Sequence, residues 1–152
     1  MTCMQLTWTL KEFAELTPAE LYAIIRLRNE VFVIEQNCIY QDADNKDQDS
    51  LHLCGWLDPE LVAYTRLIPP GLSYEECSIG RVVTAPAHRK TGAGKELMQV
   101  SIEKAFHTFN TDTIKIGAQV YLKKFYESLG FEQCSDDYLE DGIPHITMLL
   151  HK

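Results

Sequence analysis

Hydrophobic positions in the first third of the chain recur with the periods of one strand and one helix. The residues that alternate with threonines near the start are Leu6, Trp8 and Leu10. This alternation predicts a strand with one buried face. Thr17 and Glu20 have the spacing of a capping box, and Pro18 suits the first turn of a helix. The apolar spacing that follows predicts a helix from Pro18 to about Val31.

The middle of the chain has the pattern of three strands. A hairpin is predicted from His52–Leu57 and Glu60–Ile68, which flank the turn dipeptide Asp58-Pro59. Ser78–Ala85 is rich in β-branched residues and shows little alternation, which predicts a strand buried on both faces. Pro86 is expected to end this strand.

The last third of the chain continues with helical and extended patterns. In order, the predicted elements are a helix over Gly94–Phe109, a strand over Thr113–Gln119, a helix over Tyr121–Leu129 that stops at Gly130, and strands over Phe131–Ser135 and His145–His151 around the turn Glu140-Asp141-Gly142. No repeat or linker divides the sequence, so one domain over residues 1–152 is expected. This order of elements predicts an α/β fold, in which helices pack against a mixed sheet.

Composition and charge argue against several classes of function. The chain has 152 residues, with 14 Lys and Arg against 22 Asp and Glu, and a net charge of −8. Nucleic-acid binding needs a basic face, so this balance argues against a nucleic-acid partner. The sequence has no apolar run of about 18 residues, and Met1–Leu10 lacks the pattern of a signal peptide. We therefore expect no membrane association and a cytoplasmic location.

The cysteine and aspartate patterns predict no metal site. The five cysteines are scattered and include no C-x-x-C pair: Cys3, Cys38, Cys54, Cys77 and Cys134. We expect them to be reduced and to bind no metal. The acidic segment Gln41–Ser50 has Asp47 where an EF-hand calcium loop requires glycine. We interpret this segment as a solvated acidic loop.

One segment joins a strand to a helix through a glycine-rich turn. The strand Arg81-Val82-Val83-Thr84 leads through Pro86 into Arg89-Lys90-Thr91-Gly92-Ala93-Gly94-Lys95, and the predicted helix follows. Free backbone amides and the helix dipole favour an anion at such a turn, and glycines let a phosphate approach the backbone closely. The spacing matches neither a P-loop nor a dinucleotide-binding fingerprint. The segment is therefore predicted to bind phosphate in another way.

Two motifs together resemble the GNAT N-acetyltransferase superfamily. Arg89-x-x-Gly92-x-Gly94, after the V-V-T strand, is similar to that family's loop for the pyrophosphate of acetyl-CoA. Phe125-Tyr126-Glu127-Ser128-Leu129-Gly130-Phe131 resembles its second signature. Residues 28–36 and 140–146 resemble the ElaA-like branch of the superfamily. The likeness covers essentially the whole chain and implies the splayed mixed sheet of that fold.

The resemblance implies an enzyme that transfers the acetyl group of acetyl-CoA directly to a primary amine of a small molecule or of a lysine-like acceptor. Acetyl-CoA is expected in the V between the strands Ser78–Ala85 and Thr113–Gln119. Tyr126 matches the tyrosine that protonates the departing thiolate in relatives. The residues implied in cofactor binding are Val82, Val83 and Thr84 through their backbone, then Arg89, Lys90, Thr91, Gly92, Ala93, Gly94 and Lys95 at the pyrophosphate, then Gln119, where many members carry Asn, and Phe125 with Tyr126.

Several groups are candidates for the general base. Glu35 follows an apolar run, and we expect it to be partly desolvated, which raises a carboxyl pKa toward a useful value. His145 follows Pro144 in a predicted turn, and histidine titrates near neutrality. His52 begins a predicted strand, and the face to which its side chain points stays open. Many relatives have no dedicated base and deprotonate the amine through a chain of water molecules. The alternative function is a sensor that binds acyl-CoA without turnover, and a homodimer is compatible with the sequence.

Overall fold

A computed structural model describes residues 5–152, in which eight strands form two antiparallel sheets. The first sheet contains, in spatial order, β1 (Thr7–Glu12), β2 (Leu51–Leu57), β3 (Glu60–Ile68) and β4 (Ser78–Thr84). In the second sheet, β8 (Ile143–His151) pairs with β5 (Thr113–Gln119), β6 (Glu132–Gln133) and β7 (Tyr138–Glu140). The predictions for Cys3 and for the first four positions lie outside the described residues. The expected α/β fold is confirmed.

The two sheets touch where β4 and β5 begin and then diverge. Cys77 and Ile114 form a parallel bridge, and the amide of Lys115 donates a hydrogen bond of 3.0 Å to the Cys77 carbonyl oxygen. Beyond this point the two strands belong to different sheets. They therefore leave a V-shaped opening that widens toward Thr84 and Gln119, as the resemblance predicts.

The first helix starts as the sequence predicts and ends later. The amide of Glu20 donates to Thr17 Oγ1 at 3.1 Å, and the amide of Thr17 donates to Glu20 Oε1 at 2.8 Å, which completes the capping box of α1 (Pro18–Arg28). The expected end near Val31 is wrong, because the helix continues as a π-helix over Asn29–Glu35. The amide of Gln36 bonds to the Val31 carbonyl at 3.1 Å, five residues back, and this wider turn carries the chain past the end that apolar spacing indicates.

Helix α2 (Ala93–Phe109) packs one face against the sheets. The predicted apolar stripe is confirmed, since Leu97, Met98 and Ala105 are fully buried. Ser101, on the same face, shares a hydrogen bond of 2.7 Å with Thr65 of β3. This packing holds the start of α2 at the end of β4. Within residues 5–152, no helix combines the length and apolar composition needed to cross a bilayer.

Three predictions in the sheets and the C-terminal region are wrong. The helix expected over Tyr121–Leu129 is shorter, with a 3-10 turn over Val120–Leu122 followed by α3 (Lys123–Glu127). The strand expected over Phe131–Ser135 shrinks to β6, and β7 was not predicted, because its three largely exposed residues show no hydrophobic alternation. Strand β4 is not buried on both faces, since Gly80, Arg81 and Val82 are half-exposed where the sheet opens.

Candidate active site

A cavity of about 1060 Å³ occupies the V between the two sheets. The sequence-predicted site residues that line it are Glu35, Val82, Val83, Thr84, Arg89, Gln119, Tyr126 and His145. The predicted residues outside its wall are Phe125 and the loop residues Lys90, Thr91, Gly92, Ala93, Gly94 and Lys95. Phe125 packs instead against the hydrophobic core. A smaller hollow of about 260 Å³ beside α1 contains none of the predicted residues.

Tyr126 presents a buried ring and an unpaired hydroxyl to the cavity. The ring makes edge contacts with Phe125 and Phe131, with centroids 5.2 and 5.9 Å away. The hydroxyl has no hydrogen-bond partner within residues 5–152, and its oxygen keeps some accessible surface. Burial raises the pKa of Tyr126 to about 12, with a smaller contribution from Tyr121. The hydroxyl therefore stays protonated at neutral pH, as a proton donor must.

The glycine-rich loop connects the end of β4 to the start of α2. Gly92 caps α2 in the left-handed region, with φ of +86°, which favours glycine. An added Cβ at Gly94 would meet only Thr84 Cγ2, at 3.9 Å, so the loop lies directly beside the last residue of β4. The first amides of a helix have no intrahelical acceptor. The loop thus has the free donors that the predicted phosphate site requires.

Strand β4 carries a bulge beside the cavity. Gly80 pairs with Arg66 and Val83 pairs with Tyr64, so two residues of β4, Arg81 and Val82, lie opposite one residue of β3. Arg81 has φ of +51°, in the left-handed region. Bulges interrupt the hydrogen-bond ladder and free backbone groups. These groups are available to a ligand that lies along β4.

His145 lies in β8, which confirms the strand predicted over His145–His151 and contradicts its placement in a turn after Pro144. Its side chain is largely buried and lines the cavity. Nδ1 is 2.7 Å from the carbonyl oxygen of Ile143, which can only accept a hydrogen, so Nδ1 donates and the neutral ring keeps a lone pair on Nε2. Nε2 is 3.4 Å from Glu140 Oε2, and the ring stacks on Tyr138 with centroids 5.9 Å apart. This arrangement suits a proton acceptor.

Glu35 is not desolvated, so that expectation is wrong. Its side chain is 42% exposed and pairs with the Arg89 guanidinium, at 2.6 Å from Oε1 and 3.0 Å from Oε2. The π-helix extends past the apolar run and carries Glu35 out toward the glycine-rich loop. The carboxylate is therefore a partner of the loop arginine.

His52 lies in the core, away from the cavity. Its Nε2 is 2.9 Å from the Asp47 carbonyl oxygen and must donate, so Nδ1 accepts from the Tyr64 hydroxyl at 2.7 Å. Burial lowers its pKa, only partly offset by the hydrogen bond to Asp47. His52 therefore has a structural role.

The acidic segment is not a solvated loop, because its aspartates belong to a partly buried charge network that the sequence pattern does not predict. Its members are Arg28, Arg66 and Arg81 with Asp42, Asp44 and Asp47, joined by ion pairs of 2.7 to 3.3 Å. Burial opposes the charge on Asp47, but the hydrogen bonds and charges of Arg28 and Arg66 lower its pKa. The sequence does contain one signal of this network, because Arg28 occupies an apolar position of the helical pattern and therefore needs a buried acidic partner.

Two cysteines near the sheets are poor nucleophiles. Burial raises the pKa of Cys54 to about 12 and that of Cys77 to about 11. The thiolate is the reactive form of cysteine, so neither residue is activated. Among the described residues, no group of three or more His, Cys, Asp or Glu side chains is arranged to hold a metal ion.

Comparisons with known proteins agree with this geometry. Residues 15–152 match the model of the acetyltransferase (GNAT) domain. The protein ElaA of Escherichia coli is 42% identical over 143 residues, which cover 93% of this chain and 94% of that protein. The crystal structure of E. coli ElaA has a TM-score of 0.90 at 40% identity, covering 97% of this chain and 100% of that one. An acyl-CoA N-acyltransferase from Pseudomonas aeruginosa has a TM-score of 0.89 at 42% identity, covering 95% and 99%. The chain therefore belongs to the GNAT acetyltransferase family, in its ElaA-like branch, and is an acyltransferase with a cleft for an acyl-CoA and an acceptor.

Proposed function

We propose that the protein transfers the acetyl group of acetyl-CoA directly to a primary amine. The observation that carries this proposal is the unpaired, protonated hydroxyl of Tyr126 in the wall of the V-shaped cavity. Acetyl-CoA supplies the acetyl group as a thioester, and the amine nitrogen forms the new C–N bond as the C–S bond breaks. Tyr126 donates its proton to the departing sulfur.

The backbone of β4 and the loop after it position the donor. Val82, Val83 and Thr84 line the cavity and hold the pantetheine arm through main-chain hydrogen bonds. Amides of the loop from Arg89 to Lys95 bind the pyrophosphate at the start of α2. A backbone amide freed by the bulge stabilises the oxyanion that forms on the acetyl carbonyl.

His145 is the better of the two proposed bases. Its Nε2 has an available lone pair, and the Ile143 carbonyl fixes the tautomer. Glu35 is tied to Arg89 by two charge-assisted hydrogen bonds. His145 therefore removes the proton from the attacking amine, and Glu35 holds the loop arginine. Cys54 and Cys77 lie outside the cavity wall and are not activated, so neither provides a route through a covalent intermediate.

A turnover assay tests the function against the sensor alternative. The release of free thiol from acetyl-CoA is followed with a panel of primary amines, and acetylated products are identified by mass spectrometry. Calorimetry measures the binding of CoA to the same preparation. We expect acceptor-dependent thiol release with an equal amount of acetylated amine. Binding of CoA without turnover on any amine would contradict catalysis and favour a sensor.

A further inference from the structure

Lys46 carries an unpaired positive charge in the wall of the cavity. The adjacent network contains three arginines and three aspartates, so its formal charges cancel. Lys46 is half-buried, and its Nζ donates a hydrogen bond of 3.0 Å to Ser73 Oγ. Among the described residues, no carboxylate lies within 4.0 Å of Nζ. This wall therefore has a lysine and a serine hydroxyl available to an anion.

The network cannot neutralise Lys46 because its own acids are already committed. Asp44 is the aspartate of the network that lines the cavity, and both of its oxygens accept from Arg66, at 2.7 and 2.8 Å. Arg66 also has a buried Nε without an acceptor. Lys46 is thus left without a carboxylate partner on this side, which favours an incoming anion.

The wall near His145 carries the opposite charge. Glu140 and Asp141 line the cavity there and have exposed side chains. Within residues 5–152 neither forms an ion pair with lysine or arginine, and Glu140 Oε2 lies 3.4 Å from His145 Nε2. An ammonium group is attracted to this wall before it loses a proton to His145.

Two tyrosines connect the positive wall to the negative one. Tyr74 follows Ser73 in the chain, and Tyr138 stacks on His145. A Cβ added at Gly117 would lie 3.0 Å from Tyr74 Oη and 3.1 Å from Tyr138 Oη, so the two hydroxyls meet over this glycine. The tyrosine pair therefore lies between Ser73 on the positive wall and His145 on the negative one.

We propose that the acceptor is a primary amine that also carries a carboxylate, with the carboxylate bound by Lys46 and Ser73 and the amine placed at His145. This inference rests on the proposed function, because it names the substrate class of the same cavity. The lysine and the hydroxyl supply two hydrogen bonds to the carboxylate oxygens. The neutral amine then attacks the thioester as described above, and no further reactant is needed.

The test compares matched acceptors with acetyl-CoA as the donor. Each ω-amino carboxylic acid is paired with the n-alkylamine of the same chain length, so that the amines are similar in basicity. One good charge-assisted hydrogen bond corresponds to about a 10- to 100-fold difference in affinity. We therefore expect kcat/KM to be at least about tenfold higher for the carboxylated member at the best chain length.

Variants assign this preference to the two residues. Lys46→Met should bring the ratio of the two kcat/KM values close to one, mainly through a higher KM for the carboxylated amine. Lys46→Arg should restore part of the preference, and Ser73→Ala should lower it by a smaller factor. Lys104→Met, on an exposed site of α2, is the matched control and should keep the wild-type ratio. Thermal unfolding of each variant verifies that it is folded.

Two outcomes would overturn the inference in different ways. Equal kcat/KM for both members of every pair in the wild type, or a ratio that survives Lys46→Met, would contradict the carboxylate site and leave acyl transfer intact. Failure of every amine to accept acetyl, while CoA still binds, would overturn the proposed function and this inference with it.

Discussion

Replacing Tyr126 by phenylalanine removes the proposed acid and leaves its surroundings in place. The ring keeps its edge contacts with Phe125 and Phe131. Because the hydroxyl has no protein hydrogen-bond partner within residues 5–152, its removal leaves no buried group unsatisfied. We therefore expect the free energy of unfolding to change by less than about 1 kcal/mol. The affinity for acetyl-CoA should also change little.

The rate of acetyl transfer should respond strongly to this substitution. General acid catalysis contributes about 10²- to 10⁴-fold, which corresponds to about 2.7–5.4 kcal/mol of activation free energy. The pH profile supplies a second criterion. Since burial raises the pKa of Tyr126 to about 12, the wild type should show no loss of rate from its ionisation near pH 10, where an ordinary tyrosine titrates.

A rapid-quench single-turnover measurement observes the chemical step without product release. Tyr22→Phe is the matched control, because Tyr22 is 74% exposed on α1 and should keep the wild-type rate. An unchanged single-turnover rate in Tyr126→Phe would refute the role as acid. A large loss of stability would instead indicate that the hydroxyl supports the fold.

Three further perturbations test the loop, the base and the charge network. Gly94→Val should weaken CoA binding at least tenfold by calorimetry without unfolding, because space is open beside Thr84; the same change at Gly92 would add strain at φ of +86°. His145→Gln should erase the rising limb of the pH profile of kcat/KM, whereas Glu35→Gln should keep it; the reverse result would identify Glu35 as the base. Asp47→Asn should cost about 3–5 kcal/mol in urea unfolding at neutral pH, since Arg28 and Arg66 each lose one of two carboxylate partners and the buried network keeps three arginines against two aspartates. Folding lowers the pKa of Asp47, so the ionised carboxylate stabilises the fold at pH values above its unfolded pKa of about 3.9. This stabilisation is lost as the pH falls below that value, and the wild type should therefore lose more stability there than Asp47→Asn.

Most elements could be predicted because their signals are local. The capping box at Thr17, the strand over Thr113–Gln119 and the stripe of α2 depend on residues within a few turns of one another. The π-helix after Arg28 and the short strand β7 escaped prediction. Their positions depend on contacts with other elements, such as the pairing of Tyr138 with His145 across the sheet.

The surroundings of the charged site residues could not be predicted from local patterns. Glu35 and His145 have side chains whose burial depends on partners far along the chain. Arg89, 54 positions away, pairs with Glu35 and keeps it at the surface. The sequence near Glu35 does not indicate this partner, so its apolar neighbours wrongly suggest that the carboxyl group is desolvated. In the acidic segment, pairing with distant arginines likewise buries aspartates for which the local sequence predicts exposure to solvent.

The sequence by itself determined the order of the elements, the family-like loop at Arg89–Lys95 and the candidate acid Tyr126. The order of the elements follows from short-range spacing, where one helical turn or one strand period specifies which residues share a face. The loop and Tyr126 were identified through short motifs that resemble those of the GNAT superfamily. Only the tertiary structure decided that His52 lies in the core and that His145 faces the cavity. It also decided that Asp42 and Asp47 pair with arginines inside the protein. The physical reason is that the burial and pairing of a charge depend on which distant segments the two sheets bring together, and local periodicity does not contain that information.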